Sequence, residues 1–406
     1  RQAALDSRHP VRADGLSVAR AKAPERRSRK AAQPRPQRKA MPVKPALESI
    51  RERIDVIDAD LHALINERAR LAQQVGISKH SAGHTVDFYR PERESQVLHL
   101  ALERNRAAKG PLRDEEILRL FREIMSACLA QQEPLKVAFL GPEGTFTQQA
   151  VFKQFGHSVR ALPLTSIEEV FHEVESGTAD FGVVPIENSS EGTVNNTLDM
   201  FLTSPLAICG EVELRIHHNL MGAMSALGQV ERVCAHQQAL AQCRGWLAEN
   251  MPGVERVPVA SNAEGARRAR DEDGTAAIAP MAAAEVYGLN VLVPEIEDRA
   301  DNTTRFLVIG RKSFPPSGQD KTTLLVSAAH TDAPGALFRL LEPFAREGIS
   351  MTRIESRPSR RRKWDYVFFI DLEGHAETQP LAGVLAKLKG QASLCRVLGS
   401  YPRAIL

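Results

Sequence analysis

The run from Leu47 to Lys79 holds no proline and a single glycine, Gly76, and along it Ile50, Ile54, Ile57, Leu61, Leu64, Leu71 and Val75 recur at alternating steps of four and three. Only an α-helix gathers such positions on one face, so the spacing predicts one long amphipathic helix. The step between Leu64 and Leu71 skips position 68, which puts Arg68 inside the apolar seam. An unpaired guanidinium there is costly to desolvate, so something anionic must meet it, either Glu67 or Glu94 within the chain or a ligand. Lys79 lies eleven residues further on, about three turns, and returns within about 20° of the same face. Both cations therefore reach one small ligand. Arg51 lies 17 residues before Arg68, about 25 Å along a helix, too far to share that ligand except from an antiparallel partner chain.

A second helix is expected from Pro91, with Arg93 and Glu94 in its first turn and Val97, Leu98, Ala101 and Leu102 behind them. A third follows Pro111, with Ile117, Phe121, Ile124 and Cys128 in a row that Gln132 extends. An amide on a face expected to be buried needs partners.

Beyond residue 134 the pattern changes. The apolar 135–140 enters G-P-E-G-T-F-T at 141–147, followed by a helical run that closes near Gly156. This loop matches neither phosphate-binding glycine pattern. Capping boxes at Ser166/Glu169 and Ser261/Glu264 alternate with apolar runs near 181–184, 206–212, 231–234, 276–279 and 306–309, which predicts a two-lobed α/β region. Small polar side chains follow one such strand in P-I-E-N-S-S-E-G-T-V at 185–194, where a turn and a helix capped by Ser190 or Thr193 is the plain reading and a cleft lining the functional one. Two further clusters are Asn302 to Phe306, and His236 to Gln238 with Gln242. His217 and His218 are adjacent, a spacing wrong for helical metal ligation, and read as structural or surface residues. After a linker-like P-P-S-G-Q-D at 315–320, the order strand, helix, strand, strand, helix, strand predicts a ferredoxin-like βαββαβ sheet over 321–406. It has no acid/base pair, so a binding role is expected. Its basic run from Arg357 to Lys363 reads as a solvated hairpin loop.

A chain of 406 residues suggests two to four domains. Residues 1–40 carry 12 Lys and Arg against three acids, a charge of +9 that leaves 41 basic and 47 acidic residues and −6 for the rest. The body thus lacks the charge expected for nucleic-acid binding. The proline-containing tail has no helical period and reads as a disordered segment ahead of a functional chain starting near Met41. No apolar run is long enough to span a membrane. Five scattered cysteines, with no C-x-x-C, argue against a disulfide framework or structural zinc and favour a reducing cytoplasm.

Three resemblances follow from these residues. Residues 41–133, through L-E-S-I-R at 47–51, L-I-N-E-R at 64–68, Lys79, R-E at 93–94 and Gln132, resemble the all-helical chorismate mutase domain. The resemblance implies that Arg51 of a partner subunit, Arg68 and Arg93 grip the substrate, that Lys79 and Gln132 are the catalytic donors to its ether oxygen, and that Glu94 holds its hydroxyl, with Cys128 where some relatives have serine. Residues 135–311, through G-P-E-G-T-F-T, P-I-E-N-S-S-E-G-T-V and T-R-F, resemble prephenate dehydratase, a two-lobed fold like periplasmic binding proteins. That likeness implies Thr304 as the catalytic threonine, Arg305 as a carboxylate ligand, and Gly144, Thr145, Glu187, Asn188, Ser189 and Gln242 as further substrate-binding positions. Residues 321–406, with 312–320 as linker, resemble the ACT amino-acid-sensing domain. Gly335, Ala336 and Leu337 with Glu355, Ser356, Arg357 and Pro358 then imply a phenylalanine site between two such domains. Taken in order, the three resemble a bifunctional enzyme that turns chorismate into prephenate and prephenate into phenylpyruvate under phenylalanine feedback. It would be a homodimer or a higher oligomer built on one, with no cofactor or metal and with neither nucleic acid nor membrane as partner. A mutase fused to a non-catalytic two-lobed sensor is the alternative.

Overall fold

The computed structural model describes residues 47–81, 89–328, 334–359 and 365–405, and the side chains at 79–81 lie outside that description. The basic tail over 1–40, the Lys79 side chain and most of the basic hairpin loop therefore fall outside the described residues. Helix α1 runs over Leu47–Ser81, as its uninterrupted period requires. It straddles two compact units, which divide after Asp58. In the first unit Ile50, Ile54 and Ile57 are exposed, and in the second Leu61, Leu64 and Leu71 are 50 to 61% exposed. The stripe that should be a buried seam has no cover within its own unit. Helices α2 (Pro91–Ala108) and α3 (Asp114–Ala130) close on each other through Leu98, Leu102 and Leu118.

The middle region alternates strand and helix and builds two sheets. The first lobe comprises β1 (Lys136–Leu140), α4 (Phe146–Phe155), β2 (Arg160–Leu164), α5 (Ile167–Ser176), β3 (Phe181–Asn188), β4 (Gly192–Thr193), α6 (Asn195–Thr203) and β5 (Ala207–Arg215). The chain then crosses into a second lobe of β6 (Asn219–Gly222), β7 (Arg232–His236), α7 (Gln237–Gln242), α8 (Arg244–Asn250), β8 (Glu255–Val259), α9 (Asn262–Asp271), β9 (Thr275–Ala279), α10 (Met281–Tyr287) and β10 (Asn290–Val293). It returns as β11 (Thr303–Gly310), which inserts antiparallel between β3 and β5, so the first sheet runs β2-β1-β3-β11-β5 and the second β10-β6-β9-β7-β8. Ser166 and Ser261 cap α5 and α9 by accepting the backbone N–H groups of Glu169 and Glu264. Neither Ser190 nor Thr193 caps α6: its N-cap is Val194, and Thr193 lies in β4.

The third sheet, ordered β13-β14-β12-β15, is formed by β12 (Asp320–Ala328), β13 (Met351–Pro358), β14 (Tyr366–Glu373) and β15 (Ala392–Pro402), with α11 (Ala336–Arg346) and α12 (Leu381–Lys389) between strands in the βαββαβ order. One face packs on its own helices through Leu324, Val326, Ile370 and Leu385. The other face, with Leu325, Phe369, Leu398 and Tyr401, shares a core with Ile208, Phe201 and Leu307 of the first lobe. The approach is backbone to backbone at Gly399, where a Cβ would run into the Ile208 carbonyl.

Candidate active sites

A cleft of about 650 Å³ opens between the two lobes, lined among others by Thr145 and Phe146 at the start of α4, Asn188, Gln242, Asn302 and Thr304. Topology explains the gathering. β3 ends at Asn188, and because β11 runs antiparallel to it, β11 begins beside that end, with Thr304 directly opposite Asn188. Gln242 comes from the second lobe, and Asn302 from the crossover that joins the lobes.

The hydrogen bonds give this cluster a direction. The Asn188 side-chain oxygen accepts the backbone N–H groups of Ser190 and Glu191, at 2.9 and 3.0 Å, which fixes the amide with Nδ2 inward. From there Nδ2 donates to Thr304 Oγ1 and to Asn302 Oδ1, each at 2.8 Å. Asn302 in turn donates to Gln242 Oε1 at 3.1 Å, and His218 Nε2 meets the same oxygen at 2.7 Å. Thr304 Oγ1 is an acceptor in this arrangement, so its own proton is free for a group in the cleft. His236 also lines the cleft and caps α7 by accepting the Gln238 N–H.

Asn302 belongs to a cluster that the sequence marks without a role, and the sequence suggests only a structural or surface place for His218. His218 is 2% exposed and lines the cleft. Its signal is the period of two: Val212 and Leu214 are buried along β5, and Ile216 and His218, just past its end, continue the series.

Arg305 lies apart from the cleft. It follows Thr304 on β11, and strand alternation turns it to the opposite face, away from the cleft. There its guanidinium bonds Glu211 at 2.8 Å, Asp371 of the C-terminal sheet at 2.5 Å and the Tyr401 hydroxyl at 3.0 Å, and it does not line the cleft. Burial works against its charge, and Tyr401, Asp371 and Glu211 together outweigh burial and raise its pKa. Glu187 is likewise engaged elsewhere, by Arg353 of β13 at 3.0 Å. Ser189 is exposed and accepts the Thr303 N–H, and Gly144, at φ +80°, packs its backbone near Ala283 of α10. Of the expected dehydratase positions, the cleft thus gathers Thr145, Asn188, Gln242 and Thr304.

The mutase positions are less assembled. Arg51, Arg68 and Arg93 are exposed, so the anion expected for Arg68 is not supplied by the described chain. Arg93 bonds Gln96. Gln132, two residues past the end of α3, donates from Nε2 to the Ala72 carbonyl of α1 at 2.8 Å, one turn beyond Arg68, and Cys128 is buried on α3. Glu94 points the other way, toward Arg122 at 3.9 Å and the buried Tyr89. Burial dominates there and raises its pKa from 4.5 to about 7, against the pull of Arg122 and the Tyr89 hydrogen bond.

In the C-terminal sheet, Gly335 caps α11 at φ +75°, with Ala336 and Leu337 in the first turn. Along β13 the expected ligands split between faces. Ser356 and Pro358 are exposed, whereas Glu355 accepts from Thr193 at 2.9 Å and Arg357 bonds Asp199 of α6 at 2.7 Å. A strand cannot aim four consecutive side chains at one ligand, so Glu355 and Arg357 belong to the contact with the first lobe.

Family profiles match these regions: chorismate mutase type II over residues 50–133, prephenate dehydratase over 137–314 and the ACT domain over 322–390. A bifunctional chorismate mutase/prephenate dehydratase of Stutzerimonas stutzeri is 53% identical over 364 residues, 89% of this chain and 98% of that one. The chain belongs to the bifunctional chorismate mutase/prephenate dehydratases. Two solved structures are similar to its dehydratase and ACT regions, each covering 66% of this chain. One is a prephenate dehydratase from Arthrobacter aurescens in complex with L-Phe, 38% identical with TM-score 0.62 over 90% of that chain. The other is described as a quorum-quenching acylase, 32% identical with TM-score 0.61 over 98% of that chain. As a bifunctional chorismate mutase/prephenate dehydratase, this protein is both an isomerase and a carbon–oxygen lyase with an ACT regulatory domain. Because related folds carry other activities, residue roles rest on the site itself.

Proposed function

We propose that Thr304 is the general acid of the dehydratase. The observation that carries this is the 2.8 Å bond from Asn188 Nδ2 to Thr304 Oγ1, which leaves the threonine proton to be given away. The reaction breaks the ring C–O bond and the bond to the leaving carboxylate. Hydroxide leaves as water with the Thr304 proton, carbon dioxide departs, and its electron pair makes the ring aromatic; solvent then reprotonates the threonine. Threonine is a weak acid, and aromatisation supplies most of the driving force.

With Arg305 turned away, the one cation expected on a substrate carboxylate is replaced by helix N-termini. Thr145, Phe146 and Thr147 of α4 and Ser261 and Asn262 of α9 line the cleft, where free backbone N–H groups and the helix dipole favour anions. A guanidinium on the departing carboxylate would stabilise the ground state more than the transition state, since that charge is lost in the reaction. Gln242, whose oxygen is occupied by Asn302 and His218, keeps its NH2 for the substrate.

For the mutase the proposal is a site completed by a second chain, with Arg51 of the partner subunit joining Arg68, Arg93, Lys79 and Gln132; the exposed apolar stripe of α1 supports a homodimer. The mutase needs no nucleophile, only a compact conformer and charge stabilisation at the ether oxygen. The working units are 41–133, 135–311 and 321–406. Phenylalanine is proposed as the ACT effector, supported by the L-Phe complex of the A. aurescens relative, and the five free cysteines fit a reducing cytoplasm. The test feeds chorismate to the purified chain and follows prephenate and phenylpyruvate with and without phenylalanine. Thr304→Ala is expected to lose dehydratase activity by at least about a hundredfold and to keep mutase activity; an active Thr304→Ala variant would refute the acid assignment.

A further inference from the structure

We infer that His218 is a positioning residue of the dehydratase, one that sets the direction of the amide chain ending at Thr304. The inference rests on the acid role proposed for Thr304. Gln242 Oε1 accepts from Asn302 Nδ2, so it is an oxygen that faces His218, and His218 Nε2 must be the donor at 2.7 Å. If that donor is removed, Gln242 can flip its amide and present NH2 to Asn302. Asn302 must then turn its oxygen toward Gln242 and its NH2 toward Asn188, where donor would face donor. Asn188 is pinned by two backbone N–H groups and cannot answer by flipping. The conflict weakens the one contact that makes Thr304 Oγ1 an acceptor.

Three further observations suit His218 to this task. It lies in the crossover between β5 and β6, where the chain passes from one lobe to the other, so the chain of amides joins both lobes at their junction. Its ring is held edge-on by Phe146, with centroids 5.6 Å apart. Nδ1 is buried without a hydrogen-bond partner, a tolerable state for a bare lone pair and a costly one for an N–H. Burial, the largest influence, lowers its pKa. The Gln242 bond and Glu297 pull it partly back, and neighbouring His217 lowers it further, so the ring stays neutral with its proton on Nε2.

The experiment compares His218→Phe, His218→Gln and Thr304→Ala in the full chain, with the calorimetric unfolding transition of the dehydratase lobes as the folding control. His218→Phe keeps a ring against Phe146 and loses the donor, and kcat for prephenate is expected to fall about a hundredfold, as for other preorganised donors, with KM within about threefold. His218→Gln carries an NH2 near the place of Nε2 and is expected to restore kcat to within about threefold of the parent. Should His218→Phe lose the native unfolding transition, His218→Leu is the second donorless variant. Undiminished kcat in a folded donorless variant, with Thr304→Ala inactive, overturns the inference and leaves the acid role intact. A folded His218→Gln as slow as the donorless variant also overturns it. Dehydratase activity surviving in Thr304→Ala removes the acid assignment, and this inference falls with it.

Discussion

Thr304 and Arg305 are neighbours on one strand and serve opposite faces of it. The threonine ends a hydrogen-bonded chain in the cleft, while the arginine joins Glu211, Lys321 and Asp371 in a buried cluster between the first lobe and the C-terminal sheet. Two cations and two carboxylates balance there, and Thr323 and Tyr401 occupy remaining hydrogen-bonding sites. Removing one partner strands a buried charge. Arg305→Met is therefore expected to lower stability by about 3 to 5 kcal/mol, read by chemical denaturation, with weaker docking of the C-terminal sheet. If Arg305 gripped substrate instead, the variant would raise KM at unchanged stability. Glu94 gives a pH signature. Its folded pKa of about 7 lies above the ordinary 4.5 because burial disfavours the anion. Between those values the native state keeps a proton that the unfolded chain has lost, so this contribution is full below pH 4.5 and declines as pH rises to about 7. Glu94→Gln is expected to be more stable than the parent at pH 8 by on the order of 2 to 3 kcal/mol, the gain vanishing near pH 4. Equal stability differences at the two pH values would contradict a buried Glu94.

At the scale of elements, α1 is the anomaly: its period is among the plainest in the sequence, yet its apolar face is exposed. Helical stability comes mostly from packing that face, and a stripe this long marks an interaction surface. Leu61→Glu is expected to convert a dimer to monomer in sedimentation equilibrium and to abolish mutase turnover while dehydratase turnover persists. A dimeric, mutase-active Leu61→Glu would count against α1 as the interface. The close contact of β15 with β5 makes a second test. Gly399→Val would force a side chain onto the Ile208 backbone, which cannot move as a flexible side chain can; loss of cooperative unfolding between the dehydratase lobe and the C-terminal sheet is expected in calorimetry.

In the whole molecule the C-terminal sheet reaches the cleft wall through charged contacts on β13. Thr193 lines the cleft and bonds both Glu355 and Arg353, and Arg353 also holds Glu187. An effector acts at a distance only by binding two states unequally, and this strand is where their difference would be felt. Arg353→Met is expected to reduce the ratio of dehydratase rates without and with phenylalanine while basal turnover stays within about threefold; an unchanged ratio would exclude this route.

What the sequence determined by itself is what short-range physics writes locally. The period of α1, the serine caps of α5 and α9, the alternation of strand and helix and the βαββαβ order all follow from neighbours a few residues apart. The clusters that hold Thr304 and Asn188 stand out as polar residues at strand ends, and Gln242 falls in a third polar cluster, but their roles as site residues follow only from the family resemblance. The sequence does not mark β2, β6, β8 and β10: β2 and β8 are half-exposed edge strands interrupted by Pro163 and Pro258, and β6 and β10 are only four residues long, whereas the equally short β1, β7 and β9 have buried apolar centres. Which face each motif residue takes was decided only by the tertiary structure. Register and alternation turned Arg305, Glu187, Glu355 and Arg357 toward the contact between domains, and continued the inward series of β5 to His218. Sequence gives the order of donors and acceptors, whereas their pairing depends on groups a hundred residues away, as Asn188 and Thr304 show.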